Sequence, residues 1–249
     1  MPTLSPFWSA AVRLTGRIDL SALVDEPALH TLTARRLAAR GVGPRHARAL
    51  TDGATPLEAG SLLRITDPAY PSALRRVPFA PPVLFFEGSL DVLQPPLVAI
   101  VGARRCTGDG RRMATLLSSG VAGAGGVVVS GLAQGIDSAA HAAAGGRTVA
   151  VLGQGLGMPL PGRRGRLRAD IVRDGGLVLS ELSPSRSASR ITFPMRNRII
   201  AGLSAVTVVV EARERSGARI TARNALEAGR DVLAVPGHPL QETSEGCLT

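Results

Sequence analysis

Between Leu97 and Val235 the chain alternates six short apolar runs, most of them β-branched, with five stretches of helical periodicity, and this alternation restricts the fold more than any other feature. The runs are Leu97–Val101, Val127–Val129, Thr148–Leu152, Leu177–Leu179, Val206–Val210 and Val232–Val235. Helices are predicted between them at about Gly110–Val121, Ile136–Ala144, Arg166–Arg173, Pro194–Leu203 and Ala218–Ala228. Strands this short and this uniformly apolar are buried on both faces, and strands separated by helices pair in parallel through right-handed crossovers. The expected class is therefore α/β, with a parallel sheet domain over residues 67–249.

Residues 1–66 read differently. Apolar positions recur at helical spacing around Leu14, Leu20 and Leu23 and again through Leu32, Leu37, Leu50 and Leu57, with no strand pattern between them. The segment Leu37-Ala-Ala-Arg-Gly41-Val42-Gly43-Pro44-Arg-His-Ala47-Arg-Ala-Leu50 matches a helix-hairpin-helix turn, whose glycines let a backbone approach a DNA phosphate. A tight turn between two packed helices is the competing reading, because the first 70 residues hold eight arginines and six acids. The proline-rich stretch from Asp67 to Pro82 suits an extended connector.

The formal net charge of +10 points to a polyanionic partner, nucleic acid or an acidic membrane surface. Every basic residue is arginine, so a Walker-type phosphate loop, which needs a lysine ammonium, is excluded. From Arg163 to Arg198 nine arginines face only Asp170, Asp174 and Glu181 and supply six of the ten net charges. For Arg163 to Arg168 alone, a solvated helix face explains the run equally well. No apolar run approaches the roughly 18 residues of a membrane span, and no secretory signal is legible, so the cytoplasm is the expected location. Two cysteines, Cys106 and Cys247, are too few for a disulfide framework or a structural zinc site.

In open parallel sheets, ligands bind beyond the carboxyl ends of the strands, where strand order reverses. Small residues follow four of the predicted strands: Gly102-Ala103, Ser130-Gly131, Gly153-Gln154-Gly155 and Pro236-Gly237. They leave floor space where amides meet an anion, and Arg104 stands over that floor. After the fourth strand, Phe193-Pro194-Met195-Arg196-Asn197-Arg198 opens a helix whose buried stripe is Ile199, Ile200 and Leu203. Arg196, Asn197 and Arg198 are thus expected in its first turn, at the positive end of the helix dipole. Phe193 is either a platform for a base or a core aromatic.

Rival chemistries find less support. Gly102-Ala-Arg-Arg-Cys-Thr-Gly108-Asp-Gly110 is not the G-x-G-x-x-G of a dinucleotide site, and Ser130 replaces the ribose-binding acid, so no cofactor is expected. Asp137 and His141, four apart on one helical face, make an acid–base pair or a metal fragment, with helix capping by Asp137 the simpler reading. Ser130 and Ser180 lack a nucleophile-elbow context. Glu181 and Glu211 at strand ends remain as the carboxylates of an alternative, a nucleotide-binding hydrolase, or as partners that hold arginines.

Seven motifs in order, Val101-Gly-Ala-Arg104, Ser130-Gly-Leu-Ala-Gln-Gly-Ile-Asp137 with Ala140-His141, Val149-Ala-Val-Leu-Gly153, Phe193 to Gly202, Glu211-Ala, Ser216-Gly with Thr221-Ala222, and Ala234-Val-Pro-Gly237, resemble the DNA processing protein A (DprA/Smf) family over roughly residues 67–247. The resemblance implies an extended Rossmann-like parallel sheet domain preceded by a small all-helical domain of SAM or helix-hairpin-helix type. It implies a homodimer, not an enzyme, that binds and protects single-stranded DNA and loads RecA recombinase during natural transformation. Its DNA pocket would use Gly102, Arg104 and Arg105 on the first loop and Arg190, Phe193, Arg196, Asn197 and Arg198 on the fourth. Ser130, Gly131, Gly135, Gly153 and Gly155 would line the floor. Two departures stand out: Ala103 replaces a common serine, and Leu160-Pro161-Gly162 replaces a Tyr-Pro pair followed by asparagine. A winged-helix domain that often follows in the family is expected to be absent or cut off after Gly246-Cys-Leu-Thr249.

Overall fold

The computed structural model describes residues 3–26, 28–54, 57, 60–237 and 242–248. They divide into two compact units, one formed by Met1–Phe86 with Gly153–Met158 and Ser180–Ala188, the other by Glu87–Leu152, Pro159–Leu179 and Ser189–Thr249. Thr249, where the expected sheet domain ends, lies outside the described residues.

In the first unit, α1 (Pro6–Arg13), α2 (Ala34–Ala39) and α3 (Pro44–Asp52) pack through Phe7, Trp8, Leu37, Ala47 and Leu50. Thr33 caps α2 by accepting from the Arg36 amide, and Pro44 opens α3 where a missing N–H is harmless. The helical region is followed by a strand pair the periodicity did not predict: β1 (Leu62–Arg64) runs antiparallel to β2 (Val83–Gly88), with Leu63 opposite Leu84. The proline-rich stretch between them is not an extended connector. It folds back on itself around α4 (Ser72–Arg75), buries Tyr70, Leu74, Val77 and Ala80, and is tied by the Tyr70 hydroxyl donating to Pro81 O at 2.8 Å and the Arg75 guanidinium donating to Asp67 O at 2.6 Å. Proline spacing masked this compaction, because its cause is burial of four scattered apolar side chains.

The second unit carries the predicted alternation: β3 (Leu97–Val101), α5 (Gly108–Gly123), β4 (Val127–Ser130), α6 (Ile136–Ala144), β5 (Thr148–Val151), α7 (Arg163–Arg173), β6 (Leu177–Ser180), α8 (Thr192–Leu203), β7 (Val206–Val209), α9 (Gly217–Glu227), β8 (Asp231–Ala234) and α10 (Glu245–Leu248). The strands β3 to β8 are parallel in the order β6-β5-β4-β3-β7-β8. From β3 the chain winds outward to β6, then returns through α8 to place β7 on the other side of β3. Strand order therefore reverses between β3 and β7, which opens a crevice at their carboxyl ends. Valine-rich β4 and β5 are buried along their length, and Ile100, Val128, Ala114, Ile136, Ala140 and Val210 form a core under α5 and α6.

Candidate nucleic-acid interface

The crevice lies in the second unit and encloses about 590 Å³, within the range of small-ligand pockets. Its walls come from the loop after β3 (Val101 to Arg105), the start of α8 (Arg190 to Asn197), Ala133 and Asp137 around the start of α6, and the segment Arg213 to Thr221 that opens α9. Arg104, Arg105 and Arg190 stand at its rim, and none of the three makes an ion pair among the described residues. The Arg104 guanidinium sits 5.2 Å from the centroid of the half-buried Phe193 ring, a cation–π contact that holds the charge over an aromatic face. Phe193 is thus a wall of the crevice rather than a core aromatic.

Helix α8 begins earlier than the sequence predicts. Ser189 and Thr192 bond reciprocally, Ser189 N–H to Thr192 Oγ1 at 2.8 Å and Thr192 N–H to Ser189 Oγ at 3.2 Å, so the helix starts two residues before Pro194. Phe193 occupies the first turn. Arg196 to Arg198 fall in the second turn, away from the positive helix end assigned to them, while Ile199, Ile200 and Leu203 are buried as expected.

Arg196 is an interior cation with 5% of its surface exposed. One guanidinium nitrogen donates to Gly131 O at 2.7 Å and to Val151 O, at the ends of β4 and β5. Its Nε donates to Asn197 Oδ1 at 3.2 Å, and Asn197 Nδ2 donates to Gly217 O at 3.1 Å. Arg196 and Asn197 thus tie β4, β5 and α8 to the opening of α9. Burial lowers the Arg196 pKa to about 10, opposed by the Asp137 charge and reinforced by Arg104, so the group stays charged at neutral pH. Asp137 does not cap its own helix; its Oδ2 accepts from Gly131 N at 3.1 Å and Ala133 N at 3.3 Å. Burial pushes the Asp137 carboxyl above its ordinary value, and Arg196 and these amides oppose that rise.

His141 is not available for acid–base work at the crevice. Its Nε2 accepts from Leu132 N at 3.2 Å, and Nδ1 lies 2.7 Å from Thr148 Oγ1, which itself donates to Val128 O at 2.8 Å. This pattern fixes the neutral Nδ1–H tautomer, because a proton on Nε2 would face the Leu132 N–H. Burial, aided by Arg196, lowers the His141 pKa to about 3. The two strand-end carboxylates are also engaged. Glu211 accepts from the Thr107 amide at 3.0 Å and from its hydroxyl, while Thr107 Oγ1 accepts from Gly110 N at 3.0 Å and caps α5. Glu181, in the first unit, accepts from the Thr15 hydroxyl.

Of the residues singled out in sequence, Gly102, Arg104, Arg105, Arg190, Phe193, Arg196 and Asn197 converge on the crevice. Ser130 is fully buried, its hydroxyl donating to Ile100 O at 2.6 Å, and Gly131 backs onto Arg196. Gly135 serves the loop from beneath: its φ is 83°, and a Cβ there would meet Ala103 O at 2.3 Å. Arg198 turns to Met195 O at 2.8 Å. Gly153 and Gly155 belong to the first unit, where Gly155 packs on the Ser183 and Pro184 carbonyls. Sequence pattern alone did not place Asp137, Arg213, Ile220 and Thr221 in the crevice. The signal for the last three was their position after the fifth strand, beside the strand-order reversal. Among the described residues, no helix is long and apolar enough to cross a membrane.

A family model for DNA recombination-mediator protein A matches residues 61–249. DNA processing protein DprA of Streptococcus pneumoniae is 46% identical over 186 residues, covering 74% of this chain and 65% of that relative. Protein Smf of a Synechocystis species is 44% identical over 189 residues, covering 73% of this chain and 47% of that relative. The chain thus spans about half to two thirds of these curated relatives. The X-ray structure of the S. pneumoniae protein superposes with a TM-score of 0.83 at 35% identity, covering 99% of this chain and 92% of that one. DNA processing protein A of Helicobacter pylori, studied structurally for its single-stranded DNA binding mode, gives 0.67 at 28% identity over 74% of this chain and 84% of its own.

Proposed function

This chain belongs to the DNA recombination-mediator protein A family, and from that premise and the crevice we propose that it binds single-stranded DNA, protects incoming strands and loads RecA recombinase during natural transformation. The observation that carries the reading is the unneutralised rim: Arg104, Arg105 and Arg190 beside Phe193 at the reversal of strand order. Guanidinium groups grip phosphate in forks. An aromatic face stacks any base and contributes about 1–3 kcal/mol per base, which suits binding without sequence preference. The structure of the H. pylori relative with its single-strand binding mode supports the same ligand here. Arg196 and Asn197 act in this reading as the frame that holds the rim.

Fluorescence anisotropy with short oligo-dT tests it. The expected result is tight binding that Phe193→Leu weakens by about five- to tenfold or more, as loss of one stacking platform requires. Equal affinity in the variant would remove Phe193 and its wall from the interface. Incubation with nucleoside monophosphates is expected to give no product; turnover would favour a hydrolase instead. RecA loading is read from RecA filament assembly on protein-coated single strands with and without this chain, and homodimerisation from sedimentation.

A further inference from the structure

We propose a second DNA-contacting surface, formed by the arginines of α2 and α3 around the glycine turn of the first unit, that grips the phosphodiester backbone without regard to base. Residues 28–51 contain five arginines and no acid. Leu37, Val42, Ala47 and Leu50 are buried between the helices, and this packing leaves Arg35, Arg36, Arg40, Arg45 and Arg48 exposed. Arg40 pairs with Glu26 at 2.5 Å. The other four make no ion pair and no side-chain hydrogen bond among the described residues.

The low net charge of the first 70 residues conceals this patch, because three of the six acids in the stretch are used locally and, of the rest, only Asp52, exposed at the end of α3, stands on these helices. Asp19 accepts from the Ser21 and Phe79 amides, Glu26 is taken by Arg40, and Asp67 accepts from the Arg64 amide. Charge that balances in a sum does not balance on the surface. The turn is also sterically open, with its Gly41 and Val42 amides donating to Ala38 O and Leu37 O. Gly41 has φ 92° with nothing within 4 Å of where a Cβ would stand, and at Gly43 only His46 Nδ1 comes near, at 3.7 Å. An exposed turn flanked by four free guanidinium groups fits a chain of phosphates. An anionic membrane fits less well: among the described residues, none of the exposed large apolar side chains lies before Phe79, so nothing in this region would enter a lipid interface.

The inference rests on the proposed function only for the identity of the polyanion, and one set of full-length variants separates the two. Arg104→Ala, Arg105→Ala and Arg190→Ala with Phe193→Leu silence the crevice; Arg35, Arg36, Arg45 and Arg48 changed to Gln silences the patch. Long oligo-dT, short oligo-dT and a duplex are titrated across salt, with thermal melting of each variant as the folding check. The crevice-silenced protein is expected to keep salt-dependent binding to long oligo-dT, and adding the patch changes should flatten the slope of log Kd against log salt by up to about 3, roughly 0.7 for each phosphate no longer neutralised. The pairs R35Q/R36Q and R45Q/R48Q, made separately, should each remove part of it. Residual binding that the patch changes leave intact, or no residual binding at all, overturns the inference. So does patch-dependent binding to anionic vesicles without any to DNA. If instead the crevice changes leave short oligo-dT affinity untouched, it is the crevice reading that fails.

Discussion

Arg104 and Arg196 line the same crevice, yet they live in opposite regimes. Arg104 is exposed, lies on Phe193 and makes no ion pair among the described residues. Arg196 is buried, bonds to two backbone carbonyls at the ends of β4 and β5, and shares the field of Asp137. The first has charge to offer a ligand, whereas the second uses its hydrogen-bonding capacity inside the protein. A third regime is seen on α7, where Arg168 pairs with Glu87 at 2.6 Å and Arg173 with Asp170 and Asp174. Abundance of arginine therefore says little about where an anion binds; the distance to the nearest acid and the depth of burial decide it.

Four measurements would break or sharpen that contrast. Arg196→Met leaves Asp137 and two carbonyls without their cation and is expected to cost about 3–5 kcal/mol of stability, read from urea unfolding; a loss below about 1 kcal/mol would mean the interior network carries little. Acid comes next. His141 has a folded pKa of about 3 against an unfolded value near 6.5, so its neutral form stabilises the fold above pH 6.5 and that contribution is lost as pH falls. The expected slope is up to about 1.4 kcal/mol per pH unit below pH 6.5, and His141→Gln should reduce it. Gly131→Ala places a methyl group where the Arg196 guanidinium now lies, at 2.3 Å, and overpacking of this kind costs about 1–3 kcal/mol. Arg173→Ala should leave the urea midpoint where it is, since both its acidic partners are on an exposed helix face.

The sheet was legible because its causes are local. Runs such as Val127–Val129 and Thr148–Leu152 announce buried strands, and Ile136–Ala144 reads as a helix from its own periodicity. The strand-order rule then pointed to Gly102, Arg104 and Phe193, and the family resemblance added Arg190; all four line the crevice. What escaped depends on pairings between residues far apart in the chain. Nothing in the vicinity of Arg196 reveals that Gly131 and Val151 will accept its protons, and the start of α8 is set by the Ser189–Thr192 pair rather than by the proline. The first unit was less readable for a related reason: β1 is three residues long and is a strand only because β2 lies beside it.

Within the second unit, the rim arginines, and not the interior Arg196 or the acid-paired arginines of α7, are expected to meet phosphate. The most direct test is oligo-dT affinity measured between about 50 and 200 mM salt for the unmodified chain, Arg104→Ala and Arg173→Ala. The log–log slope should shrink by about 0.7 in Arg104→Ala, with unchanged melting temperature, and stay the same in Arg173→Ala. A slope that is unaltered by Arg104→Ala, or reduced equally by both, would contradict the assignment.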